Sequence, residues 1–378
     1  MAVPSGYRNL AEINAIMEKY HNDYPSITKL VDIAAEYGAG PTYGGRAIMG
    51  LMISDNPNVI EPEPTYIVLS NEHSREICTP EVTIDTIDRL LTGYATDSSV
   101  KRLVDETQIW VLPTVNPDGY TYVFTTYNMW RKNRRPLSTA VGVDLNRNAK
   151  LGWYSSCSGS SNPSSDTYKG TEPESEQETK AIFGLAAEYG IAKYLEFHQS
   201  GQEQLYAYRC SPMATNWRNY LTANANDLAR AATPIYRLRS PSADGEIFQQ
   251  FLQDHTSYAS LTEMATQGFQ PSYSSCQTVV NGLRGMVDLY FKTPESVSGF
   301  VTNSAGSPIV ADIDIDKINF QADEVRRSHK RFGRFDLFLA ADTYRLSFSA
   351  PGYNTAVETV VVTEGQTVKL NIILQSSQ

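Results

Sequence analysis

The feature that most constrains this chain is a change of texture near Pro294. Before it, short apolar runs alternate with segments of helical period over almost three hundred residues. After it, short alternating runs are separated by turn residues. In the first part, residues 66–70 (YIVLS), 109–114 (IWVLPT), 193–197 (KYLEF) and 258–264 (YASLTEM) read as strands. Residues 8–20, 82–91, 174–189 and 279–291 read as helices, with Thr79 and Pro80 as a cap and first-turn proline ahead of the second. Asn116-Pro117-Asp118-Gly119 reads as a turn. Strand–helix alternation of this length predicts one α/β domain with a largely buried sheet over residues 1–294. The second part, 295–378, carries six strand candidates at 297–302, 309–315, 334–339, 344–349, 355–363 and 367–374, the pattern of a small all-β sandwich.

Composition narrows the function classes. A chain of 378 residues with 41% hydrophobic and 20% charged residues has the mix of an ordinary globular protein. Its net charge of −10 argues against a nucleic-acid binder, which needs a basic face. No apolar run is long enough to span a bilayer. Residues 2–9 (AVPSGYRN) lack the basic start and apolar stretch of a secretory leader, which leaves a mature secreted chain and a cytoplasmic one both open. Cys78, Cys157, Cys210 and Cys276 are too widely spaced for a zinc ribbon or a CxxC redox motif. Two disulfides, one, or none fit equally, and Cys78 on its helix reads as a small buried hydrophobe.

The chemistry gathers around two of the five histidines. His73 is followed three residues later by Glu76, and His198 stands at the end of its own strand. A close His–Glu pair with a distant second His is the donor set of a catalytic zinc site that keeps one position for water. Taken alone, HxxE reads better as a surface pair. Arg131, Arg134 and Arg135 follow in WRKNRR, whose bland reading is a solvated basic loop. Asn146 and Arg147, adjacent in GVDLNRN, make a natural clamp for a carboxylate. Glu263 on its own reads as a strand-end carboxylate, and His21, His255 and His329 as structural or surface residues.

HSRE (73–76), NPDG (116–119), WRKNR (130–134), GVDLNRN (142–148), EFH (196–198) and LTEM (261–264), in this order, resemble the M14 family of zinc carboxypeptidases, and most nearly its bacterial carboxypeptidase T-like members. The resemblance covers roughly residues 6–292. It implies a mixed sheet flanked by helices, one zinc ion per chain on His73, Glu76 and His198, and Glu263 as general base. It also implies that Arg134 faces the oxyanion, that Asn146 and Arg147 grip the terminal carboxylate, and that Arg75 serves a neighbouring subsite. Tyr236 is then the candidate for the tyrosine that closes over substrate. Arg209, eleven residues after His198, is the candidate lining of the specificity pocket. There Arg209 would favour acidic C-terminal residues and Glu246 basic ones; paired with each other, they would leave Ile247 and Phe248 to favour apolar ones. Residues 332–353 (FGRFDLFLAADTYRLSFSAPGY) resemble the transthyretin-like regulatory domain that follows many carboxypeptidase domains.

The implied function is hydrolysis of the C-terminal peptide bond of peptides and proteins by a monomer. It needs no nucleic acid and no membrane span, and the resemblance favours a secreted or periplasmic setting. Three other readings compete: a zinc deacylase or amidase of N-acyl amino acids or peptidoglycan stem peptides, a catalytically dead binding module, and an adhesin whose sandwich is the working part. The Asn146–Arg147 clamp and the intact set of His73, Glu76, His198, Arg134 and Glu263 favour the peptidase.

Overall fold

The computed structural model describes residues 2–38, 40–265 and 267–377. The chain begins with α1 (Leu10–Asp23), β1 (Thr28–Asp32), the one-turn α2 (Ile33–Glu36), β2 (Met49–Ile53) and β3 (Thr65–Ser70). It continues through α3 (Thr79–Gly93), α4 (Ser98–Glu106), β4 (Gln108–Leu112), α5 (Pro117–Thr125), α6 (Gln177–Tyr189) and β5 (Ile191–Gln199). Then come β6 (Glu203–Leu205), α7 (Thr215–Ala231), β7 (Arg237–Arg239), α8 (Ile247–His255), β8 (Tyr258–Met264) and α9 (Tyr273–Lys292). These eight strands form one mixed sheet in the order β1-β2-β4-β3-β5-β8-β6-β7. Its centre, β4-β3-β5-β8, is parallel.

Every residue of β3, β4 and β5 is buried, because helices cover both faces. Polar residues in such strands must have partners. Lys193 in β5 finds its own at the C-terminus of α9, where Nζ donates to the carbonyls of Tyr290 and Phe291 at 3.2 Å each and to that of Thr293. A cation there also complements the helix dipole. Glu196 and His198, on the same strand, point to the site described below.

The remaining strands are β9 (Val297–Asn303), β10 (Asp312–Ile315), β11 (Arg334–Leu337), β12 (Asp342–Ser349), β13 (Ala356–Val362) and β14 (Val368–Leu374). They make two three-stranded sheets, β10-β12-β13 and β11-β9-β14. Alternate residues such as Tyr344, Leu346 and Phe348 point inward. This unit docks closely on the first. Phe338 stacks on Tyr258 with ring centroids 5.6 Å apart, and Gln253 Nε2 donates to the Ala322 carbonyl at 2.6 Å.

Three local expectations change. Asn116-Pro117-Asp118-Gly119 starts a helix rather than making a free turn, since the Asn116 side chain accepts from Gly119 N and Pro117 fits the first helical turn. The cap of α3 is Cys78, and Thr79 lies inside the helix with its hydroxyl on the Glu76 carbonyl at 2.8 Å. Cys78 is buried but is no free hydrophobe: it is bonded to Cys276 and so ties α3 to α9, while Cys157 is bonded to Cys210.

Candidate metal centre and active site

The parallel strands β3, β5 and β8 lie side by side, and their carboxyl ends bring the candidate residues together. His73 and Glu76 follow β3, His198 is near the end of β5, and Glu263 is its register partner on β8. Ligand sites in open α/β sheets commonly form at such ends. The loop after β3 is held from outside: Asn116 Nδ2 donates to the Glu72 carbonyl at 2.8 Å, and Ser74 N donates to the Arg131 carbonyl at 3.1 Å.

His73, Glu76 and His198 converge with their donor atoms within 4.8 Å of one another. His73 Nδ1 lies 3.0 Å from His198 Nδ1 and 2.9 Å from Glu76 Oε1, and Glu76 Oε2 lies 3.3 Å from His198 Nδ1. Ligands on a tetrahedral zinc stand about 3.3 Å apart, so the spacing fits. The outer ring nitrogens both face carboxylates. His73 Nε2 faces Asp144 Oδ1 at 2.9 Å, and His198 Nε2 faces Glu72 Oε2 at 3.4 Å. Protons on the two Nε2 atoms leave two Nδ1 lone pairs facing each other beside a carboxylate, an arrangement that calls for a cation.

Arg131, rather than Arg134, reaches this cluster. Its Nη2 bonds Asp144 Oδ2 at 2.8 Å and its Nη1 lies 3.9 Å from Glu76 Oε1. Arg134, expected at the oxyanion, stacks instead on Tyr122 and Trp130, 3.7 and 4.6 Å from their ring centroids. Two neighbouring aromatic faces outbid the cleft for that guanidinium. Glu263 faces the same space. Its carboxyl is pushed up by burial and then by Glu76, and its nearest cation is Arg239, with Nη2 3.8 Å from Oε1.

Asn146 and Arg147 lie buried on a 3₁₀ turn capped by Asp144. Asn146 is fixed at one end, with Oδ1 accepting from Ile247 N at 2.8 Å, and its Nδ2 lies 3.4 Å from His198 Nε2. Arg147 Nη1 lies 3.4 Å from Glu246 Oε1. Gly159 lets the covering loop close over Arg147, since a Cβ there would stand 2.8 Å from Arg147 Cβ. Glu246 therefore pairs with Arg147 and not with Arg209. Arg209 is exposed, and its backbone N joins those of Cys210 and Ser211 in donating to Asp244. Arg75 lies at the rim, 4.2 Å over Phe269 and 3.4 Å from Asp166 Oδ2. Tyr236, expected as the closing tyrosine, stands directly before β7, is 6% exposed and belongs to the hydrophobic core, where burial pushes its hydroxyl up to about 12.

Four residues of the site carry no assignment from the sequence reading: Asp144, Arg239, Glu72 and Glu196. For the last two a signal existed. Glu72 directly precedes His73, and Glu196 stands two residues before His198 on one strand, hence on the same face.

Comparison with known proteins follows the same lines. Residues 13–297 match a family profile described as zinc carboxypeptidase, and residues 296–375 one described as a carboxypeptidase regulatory-like domain. The chain is 40% identical over 151 residues to a zinc carboxypeptidase of Saccharothrix mutabilis subsp. capreolus, covering 39% of this chain and 33% of that protein. It is 36% identical over 211 residues to metallocarboxypeptidase A of Trichophyton tonsurans, covering 51% of this chain and 49% of that protein. The matched stretch thus spans a third to a half of these relatives. Carboxypeptidase A from Helicoverpa armigera has a similar fold, with a TM-score of 0.67 and 24% identity over 75% of this chain and 72% of that one.

Proposed function

The chain belongs to the zinc carboxypeptidase family, and from that premise we propose that it is a zinc-dependent metallocarboxypeptidase acting on the C-terminal peptide bond of peptides and proteins. The observation that carries this reading is the convergence of two Nδ1 atoms and a carboxylate beside Arg131, Glu263 and a buried Arg147. His73, Glu76 and His198 would hold one zinc ion. When bound there, zinc supplies Lewis acidity toward a carbonyl oxygen and a water.

The chain's own residues do the rest. Arg147, with Asn146 beside it, takes the terminal carboxylate, which limits cleavage to chain ends. Arg131 stabilises the negative charge that appears on the carbonyl oxygen as the tetrahedral state forms, where binding energy lowers the barrier. Glu263 accepts the proton of the attacking water and passes it to the leaving amine, a task suited to a carboxyl raised by burial.

We place side-chain preference on Glu246 rather than Arg209. Glu246 is buried with one oxygen lacking a hydrogen-bond partner, and Arg147 leaves it when it takes a substrate carboxylate. A cationic C-terminal side chain would restore the pairing. We also place the domain division at 294/295. The two disulfides suit an oxidising compartment, so the protein is read as extracytoplasmic. Among the described residues no helix is long and apolar enough to cross a membrane.

The test of the mechanism is Glu263→Gln, assayed for zinc content and turnover together. The proposal expects full zinc with turnover reduced about 10²–10⁴-fold. Undiminished turnover would remove Glu263 as the base.

A further inference from the structure

His73 and His198 are bracketed differently. The outer nitrogen of His73 meets Asp144, whose charge is already answered by Arg131 at 2.8 Å. The outer nitrogen of His198 has Glu72 Oε2 at 3.4 Å, Glu196 Oε1 at 3.6 Å and the Asn146 side-chain nitrogen at 3.4 Å. Both glutamates are fully buried. Among the described residues neither oxygen of Glu72 makes a hydrogen bond, and the ion-pair contact to His198 Nε2 is the one such contact it has. Glu196 Oε2 accepts from the Tyr194 hydroxyl at 2.5 Å. Tyr194, Glu196 and His198 alternate along β5 and therefore line one face of the sheet. The result is a buried row, Tyr194–Glu196–Glu72–His198, to which no lysine or arginine among the described residues is bonded.

A buried carboxylate without a cation is costly unless a charge lies close by. The metal on the far side of the imidazole would supply that charge. We propose that Glu72, backed by Glu196 and Tyr194, is a positioning group for His198. It accepts the Nε2 proton, fixes the ring's tautomer and orientation, and directs Nδ1 at the metal with a more basic lone pair. This inference rests on the metal centre proposed above. Carboxylates placed behind ligand histidines commonly govern metal affinity in this way.

The test is metal binding, read independently of turnover. Zinc affinity is measured by competition with a chromophoric chelator, and the visible spectrum of the cobalt(II)-substituted protein is recorded, for the wild type, Glu72→Ala, Glu72→Gln and Tyr194→Phe. Glu72→Ala is expected to weaken zinc about 10–100-fold and to shift the cobalt bands. Glu72→Gln, which keeps an acceptor but not the charge, is expected to recover part of both. Zinc affinity within twofold of wild type in Glu72→Ala, with unchanged cobalt bands, overturns the proposal. So do two zinc ions per wild-type chain with the second dependent on Glu72, because Nε2 would then be a ligand and not a donor. If Glu72→Ala fails to fold by circular dichroism, Glu72→Gln and Tyr194→Phe decide: weakened affinity in Glu72→Gln supports the proposal, and wild-type affinity in both overturns it. A wild-type chain that binds no zinc defeats the functional reading itself, whatever the variants do.

Discussion

Arg131 and Arg134 stand three positions apart in one basic run, and their surroundings separate their roles. Arg131 is held between Asp144 and Glu76, whereas Arg134 stacks on two aromatic rings. Arg131→Met is therefore expected to lower kcat about 10²–10³-fold, the usual cost of losing one group that meets developing charge. Arg134→Met is expected to leave kcat near wild type. Steady-state kinetics on one peptide, with zinc content checked for each variant, decides between them; a loss in the second and not the first would restore Arg134. Arg147→Met makes a different prediction. It removes a contact present in ground and transition states alike, so KM should rise more than kcat falls. An equal fall of kcat and kcat/KM would place Arg147 at the reacting bond instead.

At the scale of elements, the site sits where α6 braces the arginine loop. Asn133 Nδ2 donates to Glu176 at 2.8 Å and to Glu178 at 3.1 Å, and Glu178 is fully buried. Burial is the main cause that pushes the Glu178 carboxyl from 4.5 up to about 8. The folded chain thus keeps this proton after the unfolded chain has lost it. The contribution is fully favourable below pH 4.5 and is lost as pH rises through about 8. Glu178→Gln should flatten that slope and raise stability at pH 8 by something on the order of 1–4 kcal/mol. Denaturant melts at pH 5 and pH 8 measure it; an unchanged slope would contradict the buried neutral state.

The same scale explains what was legible in the sequence. Strands β3, β4, β5 and β8 could be read because burial on both faces leaves long apolar runs, and the six sandwich strands because one-sided burial leaves alternation. Strands β6 and β7 have three residues each, too few to show a period. Helix α4 does carry an apolar stripe of Val100, Leu103 and Val104, but at nine residues it is short and charged on its other face, and the sequence reading did not single it out. The proposed donor set became legible through the family resemblance, since the spacing of His73 and Glu76 alone reads better as a surface pair. The partners of Arg134, Arg209 and Tyr236 were not, because stacking, exposure and enclosure depend on residues far away in sequence.

At the scale of the molecule, the sandwich packs against α6 and the start of β8, the end of that strand opposite Glu263 and the proposed metal centre. Phe338 covers Tyr258, and Arg331 pairs with Glu188 on α6. Removing residues from 296 onward should expose that apolar seam and lower Tm or solubility, while the zinc stoichiometry of the folded fraction stays at one. A truncated chain that is folded and loses its zinc would give the sandwich a direct part in the site.

The central claim is that hydrolysis here requires both the metal and a free chain end. The measurement is amino-acid release from a panel of peptides differing in their last residue, run with zinc, with a chelator, and against C-terminal amides. The account predicts zinc-dependent release of single C-terminal residues, abolished by chelation and by amidation, with Lys and Arg favoured and that preference lost in Glu246→Gln. Release that survives amidation, or its absence from every peptide in a chain carrying one zinc ion, would contradict it.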